Sequence, residues 1–330
     1  MNTLTPRDIL QGKISSLLIS NLVNIRYLTG LQFTSGLLLV TQQKFILFVD
    51  DRYKEMAQRK LKNNFLVLDF SLLKRFLSKF KECGFEEDHV SMKRFYSWKS
   101  QFKNTKLIRT FGLIEEIRRK KNNKEIRWIH YAESITEEIL SRIPNALKRF
   151  PTESQLARML DTWARDLGAD TLSFDPIVAF GNHTSCPHHR PTDRRLKEGH
   201  IVQIDIGAKY RGYCADRSDV FFTSGPTKKQ KYVLDAVREA KDGAKALAKS
   251  GNTNHELDRL ARHILKSYKL NKYFIHSLGH GVGLDIHEGI NISQKAPEQK
   301  LLKGEVITIE PGVYFPGNFG IRLEDMVFIL

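Results

Sequence analysis

The sequence has 330 residues, of which 41% are hydrophobic, and its formal net charge at pH 7 is +16. No continuous apolar run reaches the roughly 20 residues that span a membrane, and the first residues lack the apolar segment of a signal peptide. The three cysteines, Cys83, Cys186 and Cys214, are too few and too scattered for a disulfide framework, so we expect a cytoplasmic protein of about two domains without a membrane segment.

The excess of basic residues is spread along the chain. Lys and Arg number 53 against 37 Asp and Glu, and basic runs lie far apart at 54–62, 118–124 and 228–231. Charge distributed in this way is typical of a solvated surface, whereas nucleic-acid-binding domains concentrate it on one face. We therefore expect no nucleic-acid partner.

Residues 1–111 predict a small α/β domain with alternating short strands and helices. Strands are predicted at 16–20, 36–40, 44–49 and 65–69, and helices at 21–27, 52–62 and 72–81. This part of the sequence contains no catalytic constellation. We expect it to cover an edge of the protein or to mediate a contact between subunits.

Residues 112–330 predict a second domain with long helices. Apolar residues recur at helical spacing within 113–147, and Thr152 starts a second helix with a capping box. Strands follow, and then the order repeats with helices that begin at Thr227 and Thr253. Two helices followed by antiparallel strands, twice over, predict a pseudo-symmetric α+β domain.

The first of these hairpins, at 201–222, carries two aspartates. If its turn is centred at the midpoint of residues 209–212, Asp205 lies opposite Asp216. A bulge at Gly212 would shift this register. Facing carboxylates in apolar surroundings repel each other, so a divalent cation is expected between them.

The second hairpin offers another pair of acids. A turn centred on Gly317 places Glu310 opposite Glu324, and the glycine-rich segment 276–288 between the hairpins carries His280. Four carboxylates and one imidazole are too few for two tetrahedral zinc sites, but they suit two hard divalent ions that share bridging carboxylates. The residues therefore predict a two-metal hydrolytic site.

Four segments carry a family likeness in their order and spacing: DIGAKYRGYCAD, HSLGHGVGLDIHE, ITIEPGVY and GIRLED. They resemble the Xaa-Pro peptidases prolidase and aminopeptidase P, which are creatinase-type "pita-bread" metallopeptidases. The segments NIRYLTG and FVDDRY and the stretch 152–193 are similar too. The resemblance implies a creatinase-like N-terminal α/β domain at 1–111 and a pita-bread catalytic domain at 112–330, with an antiparallel sheet backed by helices.

The resemblance also implies how the metals are held. It makes Asp205, Asp216, His280, Glu310 and Glu324 the ligands, and Asp216 and Glu324 bridge two ions. Manganese is the expected metal, with cobalt and zinc as alternatives. By the same resemblance, a hydroxide shared by the ions attacks the peptide carbonyl, and Glu310 carries a proton from the attacking water to the leaving amine.

Four further residues match positions around the substrate. His188 and His287 match positions that hold the substrate backbone and stabilise the tetrahedral intermediate, and His276 and Arg322 match supporting positions. The neighbouring His189 makes the first assignment ambiguous, and we choose His188 because it follows a proline, as in the family. The implied substrate is a dipeptide or longer peptide with proline second, and a homodimer is implied.

One stretch departs from the family pattern. After the second aspartate the family usually has a hydrophobic residue and then Thr-Arg, whereas this chain has Arg217, Ser218 and Asp219. An acid thus replaces the customary arginine and shifts the local charge. A catalytically silent pita-bread protein that binds RNA or a protein partner is the alternative, and a methionine aminopeptidase would not need the N-terminal domain. All five ligand positions are kept, which favours the Xaa-Pro peptidase.

Overall fold

The computed structural model describes residues 4–12 and 14–330. The chain divides into two compact units, one that ends at Arg118 and one that runs from Arg119 to Leu330. The domain boundary predicted between residues 111 and 112 stays a prediction. None of the helices in the described residues combines the length and the apolar character needed to cross a membrane.

The first unit is a six-stranded mixed sheet with short helices. Its helices are α1 (Pro6–Leu10), α2 (Leu22–Thr29), α3 (Asp51–Lys60), α4 (Leu73–Leu77) and α5 (Met92–Gln101). Its strands are β1 (Ser16–Ile19), β2 (Leu37–Thr41), β3 (Phe45–Phe48), β4 (Phe65–Leu68), β5 (Glu82–Glu86) and β6 (Lys106–Thr110). The strand order is β4-β3-β2-β1-β5-β6, and β4, β5 and β6 pair in parallel with their neighbours.

The predicted α/β class of this unit is confirmed. Local sequence patterns predicted some of its helices and strands but not all of them. The first four strands lie where they were predicted, and Asn21 caps α2 through the backbone N–H of Val23. The helix predicted at 72–81 ends at Leu77. Ser78 N still donates to the Lys74 carbonyl, but the bonds from Lys79 N to the Phe76 carbonyl and from Phe80 N to the Leu77 carbonyl have the tighter i→i−3 spacing. The elements α1, α5, β5 and β6 were not predicted from the sequence.

The chain continues with α6 (Leu113–Arg119) and with four long helices, α7 (Asn123–Leu147), α8 (Glu153–Asp166), α9 (Lys228–Leu247) and α10 (Asn254–Ser267). The next strands are β7 (Thr171–Leu172), β8 (Ile177–Phe180), β9 (Ile201–Ile206), β10 (Ala208–Tyr210), β11 (Tyr213–Cys214) and β12 (Arg217–Phe222). The last are β13 (Gly279–His280), β14 (Asn291–Ile292), β15 (Val306–Ile309), β16 (Gly312–Phe315), β17 (Phe319–Arg322) and β18 (Asp325–Phe328), and a short 3₁₀ helix spans Gly181–Ser185.

The second unit consists of two halves built on the same plan. The helices α8, α9 and α10 begin at the predicted positions, Thr152, Thr227 and Thr253, and each starts with a capping box. One core joins α7 and α8 to β8, β9 and β10, and the other joins α9 and α10 to β14 through β18. The predicted α+β architecture with antiparallel strands backed by helices is confirmed.

The predicted register of the first hairpin is wrong. Asp205 on β9 lies opposite Ser218 on β12, and not opposite Asp216. The two turn residues are Arg211 and Gly212, which both have positive φ, of 50° and 84°. The turn is therefore centred one residue later than predicted, and a tight two-residue turn of this kind matches the twist of the strands without a bulge.

The predicted register of the second hairpin is confirmed. Strands β15 and β18 pair on one side of the two glutamates, and β16 and β17 pair on the other side in the same register. This register places Glu310 across from Glu324. The turn is centred on Gly317, whose φ of 70° is accessible to glycine at little cost.

Candidate metal centre

The five predicted ligands lie together on the wall of one cavity of about 720 Å³. Both halves of the second unit supply them. Asp205 lies on β9, Asp216 precedes β12, His280 ends β13, Glu310 follows β15, and Glu324 lies between β17 and β18. The ligand atoms of Asp216, His280 and Glu324 lie within 4.8 Å of one another.

The carboxylates of this cluster repel one another in a buried position. Burial, together with the charges of the neighbouring carboxylates, raises the pKa values of Asp216 and Glu324 well above their usual range. Burial raises the pKa of Glu310 to about 8, although the guanidinium of Arg322 opposes the shift. A cation among these groups favours their ionised forms and offsets the repulsion.

Two carboxylate oxygens of the cluster are buried without a hydrogen bond. Asp205 Oδ1 and Glu324 Oε1 have no partner among the described residues, although Oε2 of Glu324 accepts a bond of 3.0 Å from Ser218 Oγ. An unsatisfied buried acceptor costs on the order of 1–3 kcal/mol, and more when it is charged. Oxygens left free in an oxygen-rich cluster suit hard divalent ions, so the residues fit the metals that the resemblance implies.

His280 presents one nitrogen to this cluster. Its Nδ1 lies 3.1 Å from the carbonyl oxygen of Gly281, and we assign the ring proton to this nitrogen. Nε2 then carries the lone pair, 3.5 Å from Asp216 Oδ2 and 3.6 Å from Glu310 Oε1. Burial, with a contribution from His287, lowers the pKa of His280 to about 3, so the ring is neutral as a metal ligand must be.

Arg322 is a buried cation beside the carboxylates. Its Nη2 lies 2.5 Å from Asp205 Oδ2 and its Nε lies 2.9 Å from Ser218 Oγ. Nη1 donates to the hydroxyl of Tyr314 at 2.8 Å and to the carbonyl of Pro187 at 3.2 Å. The guanidinium therefore orients Asp205 and also fixes the chain just before His188.

His276 continues the hydrogen-bond chain from Arg322. Its Nδ1 donates to the carbonyl of Ser277 at 2.7 Å, and its Nε2 accepts from the hydroxyl of Tyr314 at 3.1 Å. Burial, followed by the charge of Arg322, lowers the pKa of His276 to about 4. Sequence reasoning assigned no role to Tyr314, although this residue ends the quoted segment ITIEPGVY and links the two supporting residues.

His188 and His287 both line the cavity. The ring of His287 packs nearly perpendicular to the ring of His280, with centroids 4.1 Å apart. Burial, with a smaller contribution from His188, lowers the pKa of His287. Among the described residues no hydrogen bond is made by either imidazole, so both rings are available to a ligand in the cavity.

A buried ion pair holds the segment that carries His287. Lys121 Nζ lies 2.9 Å from Glu288 Oε1, and the two side chains are only 3% and 4% exposed. Oε2 of Glu288 accepts from the backbone N–H of Asp285. Sequence reasoning missed this pair, because Lys121 lies in a basic run that looks like solvated surface and its partner is distant in sequence.

Asp219, the residue that departs from the family pattern, is not part of the cavity wall. It pairs with Ile204 across the β9–β12 ladder, and its Oδ1 accepts from the backbone N–H of Val220 at 2.8 Å. Burial raises its pKa, and the charges of Arg217 and Lys241 oppose the shift. Its charge is thus partly balanced by neighbouring cations outside the cavity.

Two family models match the chain. Residues 127–330 match metallopeptidase family M24, and residues 9–120 match the creatinase/prolidase N-terminal domain. A Xaa-Pro dipeptidase of Pyrococcus horikoshii is 33% identical over 327 residues, which cover 97% of this chain and 91% of that protein.

Solved structures show the same likeness. The prolidase from Pyrococcus furiosus has a TM-score of 0.90 and 32% identity, with 98% of this chain and 96% of that chain covered. An X-Pro aminopeptidase from Thermotoga maritima has a TM-score of 0.89 and 32% identity, with coverage of 98% and 95%. The similarity therefore extends over both compact units.

Proposed function

This chain belongs to metallopeptidase family M24, and we propose that it hydrolyses the peptide bond between a first residue and a proline in the second position. The observation that carries the proposal is the pair of buried, unsatisfied carboxylate oxygens of Asp205 and Glu324 in a cavity lined by all five predicted ligands. The relatives named Xaa-Pro dipeptidase, prolidase and X-Pro aminopeptidase support the choice of bond.

The metal site is proposed to hold two divalent ions, with manganese as the first candidate. Asp205, Asp216, His280, Glu310 and Glu324 are the proposed ligands, and Asp216 and Glu324 are proposed to bridge. When bound, the ions would supply Lewis acidity and would lower the pKa of a nucleophilic water. Arg322 and Ser218 orient the carboxylates Asp205 and Glu324 for this role.

Proton transfer is proposed for Glu310, whose carboxyl group lines the cavity. The attacking water loses a proton as the carbon–oxygen bond forms, and the proline nitrogen must gain one as the carbon–nitrogen bond breaks. An amide nitrogen leaves as a neutral amine only when a proton is delivered to it, and this holds for the tertiary amide nitrogen of proline as for any other. A carboxyl group beside both atoms serves both transfers.

The substrate is proposed to lie against His188 and His287, with its proline ring against the apolar part of the cavity wall. Both imidazoles line the cavity without a hydrogen bond to the described residues, so they can donate to the peptide carbonyl as negative charge develops there. Phe174, Ile177 and Ile290 supply apolar surface on the same cavity wall, which suits a pyrrolidine ring.

The proposal is tested with the purified full chain and a panel of peptides. A Xaa-Pro dipeptide, a Xaa-Pro tripeptide and a Met-Ala peptide are incubated with and without added manganese. We expect metal-dependent cleavage of the proline peptides alone, and the ratio of dipeptide to tripeptide turnover reports the preferred length. Cleavage of Met-Ala alone, or no cleavage although two metal ions per chain are bound, would overturn the proposal.

A further inference from the structure

Glu153 is the most heavily hydrogen-bonded carboxylate outside the metal centre among the described residues. It is fully buried, at the first position of α8. Its Oε1 accepts from Phe180 N at 2.8 Å and from His183 Nδ1 at 2.8 Å. Its Oε2 accepts from His189 Nε2 at 2.9 Å and from Thr192 N and Oγ1 at 3.0 and 2.6 Å.

These partners bracket the segment that carries His188. Residues 186–194 form neither helix nor strand, so their backbone is held by contacts with other parts of the fold. The backbone N–H groups of Glu153 and Ser154 also donate to the carbonyls of Arg194 and Thr192, at 3.0 and 2.9 Å. The first turn of α8 thus holds the segment by side chain and by backbone.

His188 lies between two anchored neighbours. The carbonyl of Pro187 accepts a hydrogen bond from Arg322, and the ring of His189 donates to Glu153. The imidazole of His188 makes no hydrogen bond within the described residues, so its direction is set by the backbone on either side. We propose that Glu153, acting through His189, is a positioning residue that aims His188 at the substrate; this rests on the proposed function.

The side chains of Glu153, His183 and His189 are close enough together to suggest a metal site, because their possible ligand atoms lie within 4.8 Å of one another. A carboxylate has about four lone-pair positions, and Glu153 already accepts five hydrogen bonds. No position is left for an ion. Burial tends to raise the pKa of Glu153, but hydrogen bonds from Thr192, His189 and Phe180 hold it below its usual range, so the group is an ionised acceptor.

The first test compares matched variants of the two histidines. His189→Leu and His183→Leu each remove one donor to the same carboxylate, but only His189 adjoins His188. We expect His189→Leu to lower kcat on a Xaa-Pro peptide about tenfold with KM changed less than about threefold, and His183→Leu to change kcat less than threefold. His189→Gln keeps a donor near Nε2 and should recover most of kcat. Equal losses for both leucine variants would overturn the proposal.

A double-mutant cycle separates positioning from direct contact with substrate. If His189 acts through His188, His189→Leu has no further effect in a His188→Ala background. A further tenfold loss there would mean that His189 itself contacts the substrate, which overturns the proposal. If His188→Ala leaves kcat unchanged in an otherwise active protein, the proposed role of His188 is wrong. If His188→Ala lowers kcat but His189→Leu does not, only the proposed positioning by Glu153 and His189 is wrong.

Amide hydrogen exchange tests the anchoring without any substrate. Exchange in residues 186–192 should be faster in His189→Leu than in His183→Leu, and faster still in Glu153→Gln, because each change removes more of the contacts that hold the segment. Unchanged exchange in His189→Leu would overturn the proposal even if no peptide is cleaved. Loss of a bound metal ion on His183→Leu would also overturn it, because the cluster would then be a metal site.

Discussion

Two of the places where carboxylates are buried within residues 119–330 differ in how the carboxylate oxygens are bound. Glu153 accepts five hydrogen bonds from the protein, whereas the metal centre leaves Asp205 Oδ1 and Glu324 Oε1 without a partner among the described residues. A buried charge must be compensated by donors or by an opposite charge. At Glu153 both oxygens have donors, and the carboxylate holds a loop in place. In the metal centre Asp205 and Glu324 each have a donor on one oxygen only, and the other oxygen is left for a cation.

The strongest way to break this comparison is to remove one carboxylate from each place. Asp216→Ala or Glu324→Ala should reduce turnover more than about 10³-fold, because each removes a proposed bridging ligand, yet each should stabilise the metal-free protein by relieving repulsion. Glu153→Ala should instead destabilise it, by about 3–5 kcal/mol, because several buried donors lose their acceptor.

Turnover is measured by peptide cleavage with added manganese, and the stability of the metal-free protein is measured by urea unfolding in the presence of a chelator. Matching the metal-free conditions removes the contribution of bound ions to stability. Substantial activity of Asp216→Ala with manganese would contradict the ligand assignment. Lower metal-free stability of Asp216→Ala would show that this aspartate has a structural role of its own.

The stability of the metal-free protein should depend on pH, because the metal centre contains buried groups with shifted pKa values. The pKa of Glu310 rises from an ordinary 4.5 to about 8 in the folded protein, so between these values the folded state binds a proton that the unfolded chain releases. Stability of the metal-free protein must then fall as pH rises. Below about pH 6.5 the buried histidines His276 and His280, with lowered pKa values of about 4 and 3, act in the opposite direction.

The informative window is therefore pH 6.5 to 8. Urea unfolding with a chelator should show stability falling across it, because Asp216 and Glu324 shift in the same direction as Glu310. With saturating manganese the trend should reverse, since deprotonated ligands bind the ion more tightly. If the free energy of unfolding of the metal-free protein does not change with pH in this window, the carboxylates of the metal centre do not repel one another as described above.

The two hairpins show how far sequence could predict the metal centre. Gly317 marks the second turn unambiguously, and that register was correct. In the first hairpin Arg211 adopts positive φ, which its residue type does not signal. The resulting error moves the partner of Asp205 by two residues, so every side chain keeps its face of the sheet, and the alternation of apolar residues cannot detect it.

The surroundings of the ligands were less accessible to sequence. The capping box at Thr152 was predicted, but the next residue, Glu153, looks like any acid in the first turn of a helix. Its donors lie 27 to 39 residues further along the chain, and only the tertiary fold brings them together. The pair Lys121–Glu288 and the link through Tyr314 depend on the fold in the same way.

A smaller effect is expected from the hydroxyl of Ser218, which binds one proposed ligand. Ser218 Oγ donates to Glu324 Oε2 at 3.0 Å and accepts from Arg322 Nε at 2.9 Å. Ser218→Ala should weaken manganese binding about 10- to 100-fold, as loss of a contact that orients a ligand commonly does. Ser173→Ala is the matched control, because Ser173 Oγ donates to the backbone carbonyl of Ala208 and Ser173 does not line the cavity. Isothermal titration with manganese that finds equal affinities for the two variants would refute this role.

The smallest effect is expected from Asp219. Its carboxylate has fewer hydrogen bonds than that of Glu153, and it is not part of the metal centre. It accepts one backbone hydrogen bond, and the charges of Arg217 and Lys241 partly balance it outside the cavity. Asp219→Asn should therefore change manganese affinity and kcat less than about threefold, because interactions between charges that are separated and compensated are weak. A change above tenfold in the same titration would show that the charge at position 219 reaches the metal centre, and that replacing the family's customary arginine has altered the site itself.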